Sequence, residues 1–454
     1  MSVVLGALFL SEIIAQFLEE TLTTGTDRLV LDLRKLAEEF FLAGRQVLGR
    51  LDDDLDQFIA ATSTIEVGHS APLELDHFTT LRATRNVEAV GPFKGRDLNI
   101  GTKRGLREAD RDLTMQVVLD PFEERMLADL YSYTIGTGGP SVMELLKRTL
   151  APALIGREAL EIERLWRDLL FLTHATSVGA ITSIALAAID TALWDLKARK
   201  LGLPLHLLAG GAQQAIPLYT TEGGWLHLSE AALVEDALRA KADGFGGCKL
   251  KVGRPIHEDV DRISAVREAV GSGFEIFTDA NQAFAVDEAI RRARAYEPLD
   301  IGWFEEPLPA DDIEGHRRLV DHTSLPVAVG ESLYSIAQFR EYLERHACSI
   351  VQVDVGRVGG ITPWLKVAHM AEAFNIAVCP HFLMELHVSL CAAVPNARWV
   401  EYIPQLDDIT TERMSISGGK ALPSTAPGLG IAWDIEAIDR QTVEGSRSVI
   451  ATGA

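Results

Sequence analysis

In the second half of the chain, apolar runs repeatedly end in ionisable residues. GCKLKV supplies Lys249 and Lys251, FEIFTDAN supplies Asp279 and Asn281, and WFEEP supplies Glu305 and Glu306. VAVGE then supplies Glu331, VQVDV Asp354, VCPHF His381, and RWVEY Glu401. A charge at the end of a buried apolar strand is costly unless it is paired or bound to a metal. Taken singly, any of these acids reads equally well as a solvated loop residue; the same ending on successive runs reads as one site. Asp279, Glu305 and Glu331 fall on consecutive runs and would repel one another without a cation between them. All-oxygen ligation with positions left for water or substrate favours Mg²⁺ over Zn²⁺.

Lys251 and His381 are the candidate bases. Lys249 lies two residues before Lys251, so on a strand both point the same way. Like charge and a nearby cation lower a lysine's pKa toward the range a general base needs. Asp354, one run before His381, is placed to hold one ring nitrogen and fix the tautomer. The plainer alternative for His381 is a structural histidine with its hydrogen bonds satisfied.

These residues need a scaffold that brings strand ends together. From Ala215 onward, short β-rich runs alternate with helical runs at a period of roughly 25 residues, the size of a βα unit. The runs are IPLYTT, GCKLKV, FEIFTDAN, IGWFEEP, LPVAVGE, SIVQVDV, IAVCPHF and ARWVEYI, which suggests a (β/α) barrel with its site at the C-terminal strand ends. After Tyr402 come the loops SGG at 417–419 and PGLG at 427–430. Upstream lies a loop, YSYTIGTGGP at 131–140, followed by helical patterning over Val142 to Leu150, Arg157 to Phe171 and Ile181 to Lys200. Residues 1–130 carry a helical stretch, Arg28 to Leu51, and a charged one, Lys94 to Arg111, but no motif.

The ordered motifs resemble the enolase superfamily, specifically its mandelate racemase subgroup. They are K-x-K at 249–251, D-x-N at 279–281, W-x-E-E-P at 303–307, G-E at 330–331, the Asp354/His381 pair and Glu401, with the helix AIDTALWDLKARKLGLPLHLLAGG at 188–211. The resemblance runs from about Tyr131 to about Asp434. It implies an α/β fold: a (β/α)7β-type TIM-like barrel with an N-terminal α+β capping domain. The divisions are then an atypical N-terminal segment at 1–130, a cap loop and helical part at 131–211, the catalytic barrel at 212–402, and a C-terminal segment at 403–454 that returns to the cap. It implies one Mg²⁺ per subunit on Asp279, Glu305 and Glu331, and Lys251 and His381 as bases with Asp354 supporting His381. It implies that Lys249 and Glu401 contact the substrate carboxylate, Glu401 as a hydrogen-bond donor to the enediolate, with Asn281 an auxiliary contact. A homo-oligomer is also implied. Residues 1–130 depart from the family's β-rich opening segment.

Three stretches, 219–227, 305–316 and 380–395, resemble acid-sugar dehydratases of the L-talarate/galactarate dehydratase type. The implied reaction abstracts the proton α to a carboxylate, and electrostatic stabilisation must hold the resulting dianion. Protonated His381 then expels a β-hydroxyl as water, and the enol becomes a 2-keto-3-deoxy acid. Where no leaving group faces an acid, reprotonation on the opposite side makes a racemase or epimerase of a 2-hydroxy acid. A catalytically silent barrel with a binding or structural role is the alternative of another class.

The bulk numbers are compatible with these readings. The 454 residues are 47% hydrophobic and 24% charged, as in a globular protein, and the formal net charge is -22. Such a surface repels nucleic acid and anionic membranes; the partner that the resemblance implies is a small hydroxy acid. It repels that anion too, so the site must reverse the local field with Lys or a metal. Cys248, Cys348, Cys379 and Cys391 form no CxxC pair and read as buried reduced thiols, which fits a cytoplasmic protein. The apolar run Val3 to Leu10 meets Glu12 at once and reads as a short amphipathic helix rather than a signal peptide. No apolar run is long enough to span a membrane.

Overall fold

The computed structural model describes the backbone of residues 114–119 and 126–131, and then residues 133–441 apart from 135–136 and 177–178. All of these lie within one compact unit, Arg96–Ala454. The sequence readings on Val3 to Leu10, Arg28 to Leu51 and Lys94 to Arg111 lie outside the described residues. Among the described residues, no helix is long and apolar enough to cross a membrane.

The first described element is a hairpin that the sequence reading did not contain. Strands β1 (Thr114–Leu119) and β2 (Met126–Tyr131) pair antiparallel, Thr114 opposite Tyr131 and Leu119 opposite Met126. β2 crosses the expected boundary at residue 130. The runs TMQVVL and MLADLY are short, and Val117 and Val118 break the alternation that would announce a strand. β2 lies against the long helix Ala180–Leu201.

Helix α1 (Gly139–Leu145) starts with Pro140 in its first turn and continues through a π-helical turn at Leu146–Leu150. Helix α2 (Ile162–Leu172) follows, burying Ile162, Leu165, Trp166 and Leu169 along one face. Helix α3 (Ala180–Leu201) is buried nearly all round from Thr182 to Ala198, so it packs as a core element rather than an amphipathic one. It ends at Gly202, whose φ of 66° closes the C-terminus in the left-handed conformation. Together α1, α2 and α3 enclose a core that includes Val142, Leu146, Leu165, Ile184 and Leu193. The short helix α4 (Leu205–Ala209) leads into the barrel.

Eight parallel strands then alternate with helices. They are β3 (Ile216–Thr220), β4 (Gly247–Lys251), β5 (Glu275–Asp279), β6 (Trp303–Glu305), β7 (Val327–Val329), β8 (Ile350–Val351), β9 (Ala377–Val378) and β10 (Val400–Tyr402). Pairing runs in order from β3 to β9, and β10 pairs back onto β3 with Val400 opposite Leu218. A bridge from Val378 to Ala397 joins β9 to the approach of β10, closing the ring. The main intervening helices are α5 (Glu230–Ala242), α6 (Ile256–Val270), α7 (Val286–Tyr296), α8 (Ile313–Val320) and α9 (Ile336–Glu344). After β8 come a single turn, α10 (Val355–Val358), and α11 (Ile361–Ala373); α12 (Met384–Ala393) follows β9. The eighth strand has no barrel helix after it. Instead β11 (Ser415–Ser417) and β12 (Lys420–Leu422) form a hairpin whose second strand adds antiparallel to β3. This is the expected (β/α)7β arrangement.

The barrel interior is filled, as the fold requires. Tyr219, Phe277, Trp303, Ala328, Ile350 and Cys379 make an inner cluster separate from the core between strands and helices. Phe277 and Trp303 stack with ring centroids 3.6 Å apart. This packed floor lies under the ionisable strand ends, and the four cysteines are buried free thiols.

Candidate active site

Register places the first three ionisable groups in a row. Lys251 is opposite Asp279, and Asp279 is opposite Glu305. Glu305 is paired with Ala328, and the chain then runs through Gly330 before presenting Glu331. Gly330 has a φ of 149°, and a Cβ there would come within 2.9 Å of the Gln352 backbone, so only glycine lets this strand end cross its neighbour. The result is that ligand oxygens of Asp279, Glu305 and Glu331 lie within 4.8 Å of one another, and all three residues are buried.

Three buried carboxylates at that spacing need positive charge. Burial and the charge of Asp279 push Glu305 up to about 7. Burial also works against ionisation of Asp279, but the ammonium groups of Lys251 and Lys249 outweigh it and hold the carboxyl down at about 2. The donor set is all-oxygen, compact and opens on the strand-end face of the barrel, which fits a hard divalent cation. Glu306 does not belong to the set. Its backbone has a φ of 37°, and its Oε2 accepts from Gln282 Nε2 at 3.2 Å. Burial and the charge of Glu331 raise its pKa well above the ordinary carboxylate range.

Both lysines of K-x-K reach Asp279, as alternation requires. Lys251 Nζ donates to Asp279 Oδ2 and to Asn281 Oδ1, the latter at 2.8 Å. Lys249 is 1% exposed and sits between Glu305 Oε1 and Glu401 Oε1, 2.8 Å from each. Burial opposes its charge, yet Glu305 and Glu401 more than compensate and raise its pKa. Glu401 accepts from Thr221 Oγ1 at 2.5 Å and, through Oε2, from Phe382 N at 2.8 Å. Burial raises its pKa, but Lys249 and His381 outweigh that and keep it ionised. Each of these contacts uses Glu401 as an acceptor, so the donor role expected of it requires that it first take a proton.

His381 stands at the other end of the triad. Its Nε2 is 3.3 Å from Glu331 Oε2, and its Nδ1 is 2.7 Å from Asp354 Oδ2. Asp354 lies beyond β8 and caps α10, its Oδ1 accepting from Gly356 N at 2.8 Å and Arg357 N at 3.2 Å. A carboxylate at Nδ1 makes that nitrogen the proton carrier and turns Nε2 toward the triad. Burial lowers the pKa of His381, but the charge of Glu331 and the Asp354 hydrogen bond raise it on balance. Lys251 therefore sits on Asp279 and His381 on Glu331, so the two candidate bases flank the acid triad.

Several further residues shape the site. Gln352 Nε2 and Trp303 Nε1 donate to Glu305 Oε2 at 2.7 and 2.9 Å and orient that carboxylate. Gln352 is a polar residue inside the apolar run VQVDV, which is the one cue it offered. Arg357 donates to the Glu331 carbonyl at 2.9 Å and approaches its Oε1 at 3.4 Å. His387, on α12, bonds to Phe382 O at 2.8 Å and accepts from Val355 N at 3.1 Å, tying the His381 loop to the Asp354 turn. Tyr133, from the upstream loop, reaches Asp354 and Arg357.

Two family models match this chain. Residues 131–210 match the mandelate racemase/muconate lactonizing enzyme N-terminal domain, and residues 232–438 match the enolase C-terminal domain-like family. An L-talarate/galactarate dehydratase of Salmonella typhimurium is 36% identical over 308 residues, covering 68% of this chain and 77% of the relative. A 3,6-anhydro-alpha-L-galactonate cycloisomerase of Streptomyces coelicolor is 37% identical over 316 residues, covering 69% of this chain and 87% of the relative. The crystal structure of an L-talarate dehydratase from Polaromonas sp. JS666, complexed with Mg and L-glucarate, superposes with a TM-score of 0.68 at 38% identity. That match covers 70% of this chain and 89% of the other.

Proposed function

The chain belongs to the mandelate racemase/muconate lactonizing enzyme family of the enolase superfamily, and from that membership we propose that it is a Mg²⁺-dependent acid-sugar dehydratase. Its substrate is a small aldarate of the galactarate or talarate kind, and its product a 2-keto-3-deoxy acid. The observation that carries this reading is the pair of groups flanking the acid triad: Lys251 beside Asp279 and His381 beside Glu331.

Asp279, Glu305 and Glu331 are the residues that would hold Mg²⁺. Bound there, the ion supplies positive charge to a substrate carboxylate as a second negative charge builds up on it. Lys251, from its neutral form, takes the α-proton on Nζ. Lys249, buried and charged, supports the same carboxylate. His381, protonated, gives the Nε2 proton to the β-hydroxyl, so that the carbon–oxygen bond breaks and water leaves. The enol that remains tautomerises to the keto acid. Asp354 keeps the proton on Nδ1 and the ring in place. Asn281 orients Lys251 through its 2.8 Å hydrogen bond. Glu401, protonated from solvent as the anionic substrate binds, donates to the developing charge.

Two groups at opposite ends of the acid triad are also what a racemase or epimerase needs, which is the second reading. Incubating the protein and Mg²⁺ with a library of acid sugars separates them. Formation of a 2-keto acid from an aldarate is the expected result. Solvent-deuterium exchange at the α-carbon without net reaction would replace dehydration by epimerisation. No exchange with any acid would remove the enzyme reading.

A further inference from the structure

The loop YSYTIGTGGP, upstream of the barrel, has no part in the chemistry so far, yet it delivers one side chain into the site. Tyr133 is 2% exposed, and its hydroxyl is 2.5 Å from Asp354 Oδ2, the same oxygen that His381 Nδ1 reaches at 2.7 Å. Arg357 Nε donates to that hydroxyl at 3.0 Å. The phenol has one proton to give, and its other close neighbour, His381 Nδ1 at 3.5 Å, is already a donor to Asp354. The proton must therefore go to Asp354. The ring is held in turn, 4.7 Å from Phe382 by centroid and 5.6 Å from the Arg357 guanidinium.

We propose that Tyr133 is a positioning residue: its hydroxyl sets the Asp354 carboxylate, and through it the orientation of the His381 ring. Asp354 Oδ1 is occupied by the backbone of its own turn, Gly356 N and Arg357 N. On Oδ2, Tyr133 is the one side-chain donor besides the histidine among the described residues. Without it the carboxylate loses the lateral hydrogen bond that fixes where Oδ2 points, and the imidazole aims its Nε2 less well at the substrate. Tyr133 is 221 residues from Asp354 in sequence, so the histidine half of the site draws on a side chain from outside the barrel. Arg357 extends the chain of contacts to Glu331, linking the acid triad to the imidazole.

The proposal rests on the reading of His381 as the acid that expels water, and its test separates the two. Tyr133→Phe keeps the ring and deletes the hydroxyl. The expected result is a kcat for elimination lowered by about 10- to 100-fold, with KM and melting temperature close to wild type. In a His381→Asn background the same change should add nothing to the residual α-proton exchange. The low-field Nδ1 proton resonance of His381, identified by its loss in His381→Asn, should shift in Tyr133→Phe without any substrate present. Wild-type kcat in Tyr133→Phe, or an equal loss with and without His381, would overturn the proposal. If the wild-type protein dehydrates nothing, the functional reading fails, and the resonance still decides: an unmoved Nδ1 proton overturns the role of Tyr133.

Discussion

Glu305 and Glu306 are neighbours in sequence and both are buried, but they do different things. Glu305 completes the acid triad, whereas Glu306 adopts a positive φ and turns to Gln282. Removing one of three anions takes away a large part of the attraction for a divalent cation. Glu305→Gln should weaken Mg²⁺ binding by more than about 100-fold, beyond the 10- to 100-fold cost usual for residues one step removed from a metal. Calorimetric titration with Mg²⁺ measures this without turnover; Glu306→Gln binding less well than Glu305→Gln would reverse the assignment. The two proposed bases should separate as well. His381→Asn should stop dehydration and leave slow α-proton exchange, Lys251→Met should stop both, and Asp354→Asn should act as a milder His381 variant. These effects belong to the configuration of the substrate: an epimer at the α-carbon exchanges the roles of Lys251 and His381. Near-wild-type turnover in both base variants, measured with a pair of epimers, would mean that neither group carries the chemistry. At this scale the sequence was informative because charge at the end of an apolar run is unusual. It was silent on Tyr133, Arg357 and His387, whose contacts depend on loops that no periodicity describes.

Elements decide whether those side chains meet, and Gly330 is a close approach between two of them. A Cβ there would lie 2.7 to 2.9 Å from the Gln352 backbone, and Gln352 in turn orients Glu305. Gly330→Ala should therefore disturb two of the three acids at once: Glu331, which follows it, and Glu305 through Gln352. Overpacking of this kind costs about 1–3 kcal/mol, read from a denaturation midpoint, and Mg²⁺ affinity should fall with it. A stable variant with unchanged affinity would show that the strand end tolerates the shift. A second element-level effect lies between α3 and α11, where Asp190 Oδ2 accepts from Thr362 N at 2.7 Å and Oδ1 has no hydrogen-bond partner among the described residues. Burial raises its pKa from 3.8 to about 7. The folded state thus holds a proton that the unfolded state has released, and stability falls as pH rises from about 4 to 7. The loss levels off above 7 at about 4 kcal/mol. Asp190→Asn should flatten that part of the profile in melting experiments between pH 4 and 8; an unchanged slope would exclude Asp190 as its source. The eight barrel strands were legible because each is a short apolar run at steady spacing. The β1–β2 hairpin was not, because its strands lack clean alternation, and neither was the late start of α2 at Ile162.

At the scale of the whole molecule, the net charge of -22 works against the proposed substrate, an aldarate with two carboxylates. The chain carries 43 Lys and Arg against 65 Asp and Glu, so an approaching dianion meets a repulsive field before it reaches the site. The two lysines at the mouth cannot offset this at long range, since both are already paired with carboxylates: Lys249 with Glu305 and Glu401, Lys251 with Asp279. Screening removes long-range terms first, because the Debye length is about 10 Å at 0.1 M salt and about 30 Å at 0.01 M. Close contacts within the buried site are much less affected. Raising an inert salt from about 0.01 to 0.2 M at saturating Mg²⁺ should therefore increase kcat/KM by a factor on the order of a few. It should leave kcat nearly constant, because the bound substrate no longer feels the approach. This is the reverse of the salt response of an enzyme that steers its substrate in. An acid sugar with one carboxylate should show a smaller gain than one with two, since the repulsion scales with substrate charge. If kcat/KM instead falls with salt for the dianion, a local positive field at the barrel mouth outweighs the acidic surface. The distal carboxylate would then have a cationic partner near the strand ends.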